Sequence, residues 1–309
     1  MKIVRSIAKM QELSRQTRSA GLTVGFVPTM GYLHDGHVSL IRLARESANV
    51  VVVSIFVNPT QFNSADDFTN YPRDEKTDEA LLEEEGVDIL FLPDAADVYP
   101  QGAATRVAVS GLTDYLCGAF RPGHFEGVAT VVAALLNMVL PDVAVFGRKD
   151  FQQIQIVRRM VRDLHFGVTI VEGATSRERD GLARSSRNAR LCAAERAVAG
   201  AIYAALSAGA QEYGRGQRSV SVLKQAALRR IEQAPGFRVE YLEVVDPDAI
   251  KPVDNADERS VMAIAAWLGP VRLIDNVTLA DQALAVTEGT STGAQSPAAN
   301  TAIPTHSGV

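Results

Sequence analysis

Cysteine is scarce in this sequence of 309 residues, which contains two cysteines in all. Cys117 and Cys192 form no CxxC pair and have no histidine cluster beside them. We therefore expect both thiols to be reduced, as in the cytoplasm, with a disulfide or a metal site as the alternatives. The charged, amphipathic start of the chain has no apolar segment followed by a cleavage site, so we expect no export signal.

Long apolar runs and an excess of positive charge are also missing. The most apolar run covers residues 128–140 and includes Thr130 and Asn137, so it is too short to span a bilayer and predicts a buried helix. With 31 basic and 36 acidic residues, the net charge is −5. This balance argues against nucleic acid or a membrane as the main partner, although a local basic pocket could still bind phosphate.

Several common functional motifs are absent as well. The sequence has no GxxxxGKS or GxxxxGKT loop, no GxGxxG fingerprint and no HExxH segment. These absences argue against a P-loop, a dinucleotide-binding fingerprint and an HExxH zinc site. Internal repeats and a heptad pattern are lacking too. The apolar fraction of 47% and the charged fraction of 22% are nevertheless those of an ordinary globular protein.

The first half of the chain alternates strand-like and helix-like segments. Residues 50–58 are almost continuously β-branched, which is typical of a parallel strand covered on both faces. Repeated strand–helix–strand units predict an α/β fold with a doubly wound parallel sheet. We predict strands at 22–28, 50–58, 88–93, 143–147 and 168–173, and helices at 36–48, 75–85, 128–140 and 151–164.

The pattern changes near residue 174, where the sequence predicts a smaller α+β domain. We predict helices at 195–213 and 219–233, and strands at 238–245, 260–267 and 271–277. The last residues are poor in large apolar side chains and in charge, which predicts disorder. The expected organisation is a first domain at 1–175, a second domain at 176–283 and a disordered tail at 284–309.

The segment PTMGYLHDGH, residues 28–37, joins the first predicted strand to the first predicted helix. Ligands bind beyond the carboxyl ends of parallel strands, and the free N–H groups at the start of a helix attract phosphate. His34 and His37 are three residues apart, so in a helical turn they share one face. We interpret the segment as a phosphate site whose imidazoles donate to an oxyanion, with a loop of two surface histidines as the alternative.

Two later segments carry groups that suit phosphate. FGRKDFQQ, residues 146–153, places Lys149 at the end of a strand, where its charge can neutralise phosphate during transfer. ERDGLARSSRNARL, residues 178–191, offers the hydroxyls of Ser185 and Ser186 and the guanidinium of Arg187. Each segment alone also fits a solvated turn or a polar linker, but together with residues 28–37 they predict one nucleotide-binding site.

Two further segments supply candidate ligands for a small substrate. SIFVNPTQF, residues 54–62, ends a strand with Asn58 and Gln61, and an amide both donates and accepts hydrogen bonds, as a small hydroxy acid requires. RPGHFEGVATVV, residues 121–132, places Arg121 and His124 before the buried helix. A routine strand exit and a helix-capping role for His124 are the alternatives.

Together with YPRD at residue 71 and VRLIDN at residue 271, these segments resemble the pantoate–β-alanine ligase family. The His-x-Gly-His spacing is similar to the signature of the HIGH-type nucleotidylyl transferases. The resemblance implies a Rossmann-like nucleotidylyl transferase domain and a smaller C-terminal domain. It also implies condensation of pantoate with β-alanine through a pantoyl adenylate, with ATP as substrate, release of AMP and pyrophosphate, Mg²⁺ as cofactor, and a homodimer. Because an acyl adenylate is water-sensitive, we expect the smaller domain to close over the site as a lid.

Matching positions in the family assign site roles to residues of this sequence. The resemblance implies that the catalytic side chains are those of His34, His37 and Lys149, with His37 as the proton donor. Gln61 and Gln153 would contact pantoate, and Gln61 would also lie near β-alanine. The implied ATP ligands are Met30, Gly31, Tyr32, Leu33, His34, Asp35, Gly36, His37, Gly147, Arg148, Lys149, Asp150, Ser176, Arg184, Ser185, Ser186 and Arg187.

The resemblance also gives one weaker residue assignment, and this sequence departs from the family pattern at three positions. Asp78 matches a position that could help to hold the metal. Arg148 stands where the family usually has Glu, Arg184 where it has Met or Leu, and Ser176 where it has a Val-like residue. Because both arginines would add positive charge beside a triphosphate, we hypothesise altered ATP affinity or weakened activity. A silent nucleotide-binding paralogue and a plain nucleotidylyl transferase are the alternative functions.

Overall fold

Six parallel strands form the larger of two sheets in the computed structural model, which describes residues 1–283. Helices alternate with these strands along the chain. The elements are β1 (Lys2–Val4), α1 (Ile7–Ser19), β2 (Val24–Thr29), α2 (Asp35–Ser47), β3 (Val50–Ile55), α3 (Ala65–Thr69), α4 (Glu75–Glu84), β4 (Ile89–Phe91), α5 (Ala95–Val98), α6 (Leu116–Phe120), α7 (His124–Val139), β5 (Val143–Gly147), α8 (Phe151–Asp163) and β6 (Thr169–Gly173).

The order of the strands creates a crevice in the middle of this sheet. The spatial order is β1-β4-β3-β2-β5-β6, and every pairing is parallel. From β2 the chain builds outward through β3 and β4 on one side, and then crosses to β5 and β6 on the other. Such a reversal leaves an opening between the carboxyl ends of β2 and β5, where ligands of open α/β sheets bind.

A smaller antiparallel sheet, ordered β7-β8-β9, follows in the second half of the chain. Two long helices pack beside it and share its apolar core. The elements of this region are α9 (Ala193–Val198), α10 (Ala201–Gly214), α11 (Val220–Ile231), β7 (Phe237–Val245), β8 (Val261–Leu268) and β9 (Val271–Thr278). The predicted doubly wound α/β fold with a smaller α+β region is therefore confirmed.

The two sheets are joined by packed side chains. Val245, Ile250, Val261 and Ala263 belong to the second region, yet they are buried in the same apolar cluster as the helices of the larger sheet. Burial of this kind resists wholesale separation of the two halves. None of the helices described in residues 1–283 is long and apolar enough to cross a membrane.

Several predicted boundaries shift in the structure. The buried helix predicted from residue 128 starts at His124, because Gly123 adopts a left-handed φ of 77° and serves as its N-cap. The helix predicted at 195–213 is broken, and Gly200 lies at the break with its backbone against Asp180. Sequence analysis did not predict β1, α1, α3, α5 or α6. The predicted disorder at 284–309 lies outside the described residues.

Candidate active site

A cavity of about 690 Å³ lies where β2 and β5 end. This volume is typical of a site for a small molecule. The cavity is lined by the ends of both strands, the segments that follow them, the start of α7 and the loop before α9. His34, His37, Lys149, Ser185 and Ser186 all face this one space, as the sequence analysis predicted.

The histidine turn, residues 30–37, fixes both imidazoles with its own backbone. His34 is the N-cap of α2, and its Nδ1 accepts the Gly36 N–H at 3.1 Å. In return, Nδ1 of His37 accepts the His34 N–H at 3.2 Å, which completes a reciprocal capping box. Because both Nδ1 atoms accept, the proton of each neutral ring resides on Nε2. The turn therefore keeps two Nε2–H donors whose rings line the cavity, with centroids 4.1 Å apart.

Both imidazoles are held neutral. Burial lowers the pKa of His34 to about 4, and the charges of Lys149 and Arg184 act in the same direction. Burial also lowers the pKa of His37 to about 3, helped by His34 and Lys149. At neutral pH the two rings therefore donate hydrogen bonds without carrying a charge. The structure thus favours a hydrogen-bond donor over an imidazolium acid for His37.

Asp78 of α4 supports the histidine turn from behind. Its two carboxylate oxygens accept the N–H groups of Tyr32 and Leu33, each at 2.7 Å. Gly31 and Tyr32 have left-handed φ values of 80° and 53°, and a Cβ on Gly31 would lie 3.0 Å from this carboxylate. Asp78 is only 2% exposed, and residues 1–283 contain no cluster of three or more metal-ligating side chains. The contacts of Asp78 in the structure are therefore with the backbone of the turn, and its role in holding a metal stays a prediction.

The lysine turn, residues 147–150, links β5 to α8 through a 3-10 turn at Arg148–Asp150. The Lys149 side chain is 19% exposed, and its Nζ lies 4.0 Å from Oδ1 of Asp150. Both side chains line the cavity. Lys149 therefore presents a positive charge on the side of the cavity that belongs to β5.

The arginine loop, residues 184–190, is fastened to the histidine turn. Ser185 caps the 3-10 turn Ser186–Arg190 by accepting the Arg187 N–H at 3.3 Å. The Ser186 hydroxyl donates to the carbonyl oxygen of Tyr32 at 3.2 Å. These contacts make the serines structural parts of the loop as well as lining groups of the cavity.

Two of the three arginines in this loop, Arg187 and Arg190, share a carboxylate from α3. Asp67 accepts from Arg187 at 3.0 Å and from Arg190 at 2.8 Å. The phenol of Tyr71 lies beneath Arg187, with the guanidinium carbon 5.6 Å from the ring centre. The arginines lower the pKa of Asp67 against the opposing effect of burial, so this carboxylate stays ionised. One carboxylate therefore offsets part of the positive charge that Arg187 and Arg190 carry.

Amide side chains line another part of the cavity. Asn58 is 1% exposed, and its Nδ2 donates to Gly127 O and to Gln61 Oε1, both at 3.1 Å. Nε2 of Gln61 lies 2.8 Å from Sδ of Met30. Gln153 of α8 also lines the cavity. Asn58 thus orients Gln61, and the amides of Gln61 and Gln153 are available for a polar ligand.

Arg121 and His124 act on the backbone of Gln61. Nη2 of Arg121 and Nδ1 of His124 both donate to the Gln61 carbonyl oxygen, at 3.1 and 2.8 Å. The second ring nitrogen of His124 accepts from Arg121 at 3.1 Å. Burial, followed by the charge of Arg121, lowers the pKa of His124 to about 3, which keeps this ring neutral. The His124 side chain therefore supports the backbone of Gln61. The alternative role of His124 as a cap of α7 is not observed.

The cavity does not include every predicted ligand. Within the described chain, the predicted ATP ligands that do not line it are Gly31, Tyr32, Leu33, Asp35 and Arg148. Lining residues that sequence analysis did not single out include Phe62, Asp67, Tyr71, Arg190, Trp267 and Arg272. Arg190 follows Arg187 by three residues, a spacing that could have been noticed. Phe62, Tyr71 and Arg272 lie in segments that the sequence analysis quoted without giving these side chains a role, whereas Asp67 and Trp267 lie outside those segments.

Comparison with known proteins identifies the family. The family model described as pantoate-beta-alanine ligase matches residues 2–278. The chain belongs to the pantoate–β-alanine ligase family. Pantothenate synthetase of Geobacter sulfurreducens is 48% identical over 282 residues, which are 91% of this chain and 100% of that protein. The chain is accordingly an enzyme of the ligase class.

Solved structures of this ligase family share the fold. Pantothenate synthetase of Thermus thermophilus is 46% identical and superposes with a TM-score of 0.85, covering 90% of this chain and 99% of its own. Pantoate-beta-alanine ligase of Francisella tularensis, described as complexed with beta-gamma ATP and beta-alanine, is 34% identical with a TM-score of 0.74. It covers 90% of this chain and 98% of its own.

One expected departure of this ligase from its family lies outside the cavity. Arg148 pairs with Glu172, and its Nη1 lies 3.5 Å from Asp281. Glu172 also pairs with Arg158 at 3.1 Å. The Arg148 guanidinium is therefore paired with carboxylates and does not line the cavity, and its predicted effect on ATP binding stays a prediction.

Arg184 and Ser176, the other two expected departures, do line the cavity. Arg184 pairs with Asp35 of α2 at 3.0 Å and is 32% exposed. Ser176 accepts the Arg184 N–H with its backbone oxygen at 2.9 Å, while its side chain remains at the cavity. The extra charge at Arg184 is thus partly balanced by Asp35 across the start of α2.

Proposed function

We propose that this ligase condenses pantoate with β-alanine in two steps at the cavity between β2 and β5. Pantoate carboxylate attacks the α-phosphorus of ATP, forming pantoyl adenylate and releasing pyrophosphate. The β-alanine amine then attacks the acyl carbon, forming pantothenate and releasing AMP. One observation carries the proposal: neutral imidazole donors, a lysine, arginines and several amide side chains face the same cavity.

The charge changes of the first step match these groups. Attack by a carboxylate adds negative charge to an already anionic phosphate, so donors that need no rearrangement stabilise the transition state. Nε2–H of His34 and of His37 would supply two such donors. Lys149 and Arg187 would supply positive charge for the α-phosphate and for the leaving pyrophosphate.

The amide side chains of Gln61 and Gln153 suit the binding of pantoate. Gln61 and Gln153 would hold the hydroxyl and carboxylate oxygens of pantoate, and Asn58 would keep Gln61 oriented. The complex of the Francisella tularensis relative with beta-gamma ATP and beta-alanine supports the same two ligands here. Alignment of pantoate against the nucleotide would then supply much of the rate enhancement.

Magnesium enters this proposal with the nucleotide. Among the carboxylates of residues 1–283 that line the cavity, Asp67 is bound by two arginines, Glu240 is paired with Arg272, and Asp66 is exposed. Asp78 lies outside this lining and accepts two N–H groups. Asp150 lines the cavity with a side chain that is 49% exposed. These residues do not build a protein cage for Mg²⁺, so we treat MgATP as the substrate and assign the ion no resident site.

Three wider expectations remain proposals. We propose that the enzyme is cytoplasmic. We also propose that it forms a homodimer, and sedimentation velocity of the purified chain would test this oligomeric state. We also propose a boundary near residue 175 between an ATP- and pantoate-binding domain and a smaller C-terminal domain. Because the two sheets share buried apolar side chains, closure of the smaller domain over a water-sensitive adenylate would keep the two sheets in contact.

The reaction can be tested with ATP, Mg²⁺, pantoate and β-alanine while AMP and pyrophosphate are measured. We expect multiple turnovers of AMP only when both acids are present. Turnover of pyrophosphate that is independent of the amine would indicate a plain nucleotidylyl transferase. A rise in melting temperature with ATP but no AMP would indicate a silent nucleotide-binding paralogue, and either result would overturn the proposal.

A further inference from the structure

The segment VRLIDN of β9 ends in a dipeptide, Asp275-Asn276, that the proposed chemistry does not use. Asn276 is 5% exposed, and its Nδ2 donates to the carbonyl oxygens of Arg148 at 3.1 Å and Lys149 at 3.0 Å. One amide of the smaller sheet therefore holds two successive peptide groups of the lysine turn. Fixing these groups fixes the direction in which the Lys149 side chain leaves the backbone.

Asp275 connects the same dipeptide to the other side of the cavity. Its carboxylate, with a fully buried side chain, binds the Arg177 guanidinium through two contacts of 2.6 and 3.0 Å. It also accepts the Asn276 N–H at 2.8 Å. A buried bidentate pair of this kind has a defined geometry, because both ions lose water and gain directional bonds.

Arg177 in turn holds the residues that directly precede the arginine loop. Its Nη1 donates to Gly181 O at 3.0 Å, and its guanidinium lies 3.9 Å from the ring centre of Tyr203. The backbone of Arg177 pairs with Ala183 in an antiparallel bridge, directly before Arg184. The dipeptide thus contacts both the lysine turn and the hairpin that leads into the arginine loop.

We propose that Asn276 is a positioning residue for Lys149, and that the Asp275–Arg177 pair holds Asn276 and the arginine loop in one frame. The smaller sheet then sets the separation between the two cationic sides of the nucleotide site. This inference rests on the proposed function, because it requires Lys149 to act on the phosphates of ATP.

The test uses Asn276→Ala and Lys149→Ala, alone and combined, in the full-length enzyme. Single-turnover formation of pantoyl adenylate and calorimetric ATP affinity are measured for each variant. We expect Asn276→Ala to slow adenylate formation about tenfold to a hundredfold, the scale of a displacement of about 1 Å at a reacting group. In the Lys149→Ala background the same substitution should cost less than about twofold, because residues that act through one another are not additive.

Tyr241→Phe is the matched control, because it also removes a contact between the smaller sheet and the first half of the chain. Tyr241 OH contacts Cys117 Sγ at 3.2 Å, which also joins the smaller sheet to the larger one, but neither side chain lines the cavity. We expect this variant to keep the rate of adenylate formation. If it slows the reaction as much as Asn276→Ala does, general loosening of the contacts between the two halves of the chain explains the effect and the positioning role is overturned.

Asn276→Asp adds a readout that survives poor folding of the alanine variant. The aspartate keeps the shape but donates only when protonated, so its activity relative to the unsubstituted enzyme should rise as the pH falls. A ratio that does not change with pH contradicts donation to the lysine turn.

Two failures remain distinguishable. If Lys149→Ala leaves the rate and the ATP affinity unchanged, the role proposed for Lys149 fails together with the function assigned to the cavity. If Lys149→Ala is impaired but Asn276→Ala has no effect, or has the same effect in both backgrounds, only the positioning inference fails.

Discussion

The histidine turn and the arginine loop face the same cavity, yet they prepare for an anion in opposite ways. The turn offers two imidazoles that burial keeps neutral, with the pKa of His34 at about 4 and that of His37 at about 3. The loop offers Arg187 and Arg190, which share the single carboxylate of Asp67 as a counterion. The histidine turn therefore needs no counterion, whereas the arginine loop has a counterion in Asp67.

This difference separates two contributions to catalysis. Neutral donors in a fixed backbone frame are already aligned before the substrate arrives, so they suit charge that appears only in the transition state. Charged side chains that must leave an internal carboxylate suit the binding of a ground-state anion such as triphosphate. We therefore expect substitutions in the turn to act mainly on the rate, and substitutions around Asp67 to act mainly on ATP affinity.

His37→Ala should give the largest effect, because it removes a donor that the turn holds in place. We expect adenylate formation to slow about 10²- to 10³-fold, the usual loss for one preorganised donor, with a smaller change in ATP affinity. His37→Gln, which keeps an N–H donor, should recover part of the rate in the same single-turnover assay. Equal losses in rate and in affinity would remove the distinction between the turn and the loop.

Gly36→Ala tests the turn without removing a donor. A Cβ at this position would lie 2.9 Å from the ring atoms of His34, so the ring must shift. We expect about a tenfold loss of adenylate formation, measured beside the melting temperature. An unaffected rate would mean that the close approach of the ring to the backbone does not matter for the chemistry.

The local parts of this comparison could be read from the sequence, but the long-range parts could not. His34, Gly36 and His37 are adjacent along the chain, and Lys149 follows an apolar strand, so spacing and strand ends indicated them. Asp67 reaches Arg187 across 120 positions of the chain, and that pairing depends on the packing of α3. Arg148 shows the limit most clearly, since its position beside Lys149 predicted a charge at the site, while Glu172 draws its side chain elsewhere.

Asp67→Asn sharpens the comparison from the side of the arginine loop. Since Asp67 must release Arg187 and Arg190 before a phosphate replaces it, removing its charge should strengthen ATP binding severalfold at low salt, with little change in rate. Asp163→Asn is the control, because Asp163 is an exposed carboxylate that does not line the cavity and the change in net charge is equal. Isothermal calorimetry of both variants measures the effect, and weaker ATP binding by Asp67→Asn would contradict an internal counterion.

The smallest effect we predict is on the pH dependence of stability. Burial lowers the pKa of His37 to about 3, whereas an unfolded histidine titrates near 6.5. Between these values the unfolded chain binds a proton that the folded chain does not, so the free energy of unfolding falls as the pH falls from about 6.5 towards 4. Each such histidine should contribute a slope of about 1.4 kcal/mol per pH unit.

His37→Gln should therefore reduce the proton uptake on unfolding at pH 5 by about one, as measured from urea unfolding over a pH series. His124→Gln should remove a second proton, because burial and Arg121 lower the pKa of His124 to about 3 as well. An unchanged slope in His37→Gln would mean that the ring is charged in the folded enzyme. The histidine turn would then resemble the arginine loop, and the contrast between neutral and charged donors would disappear.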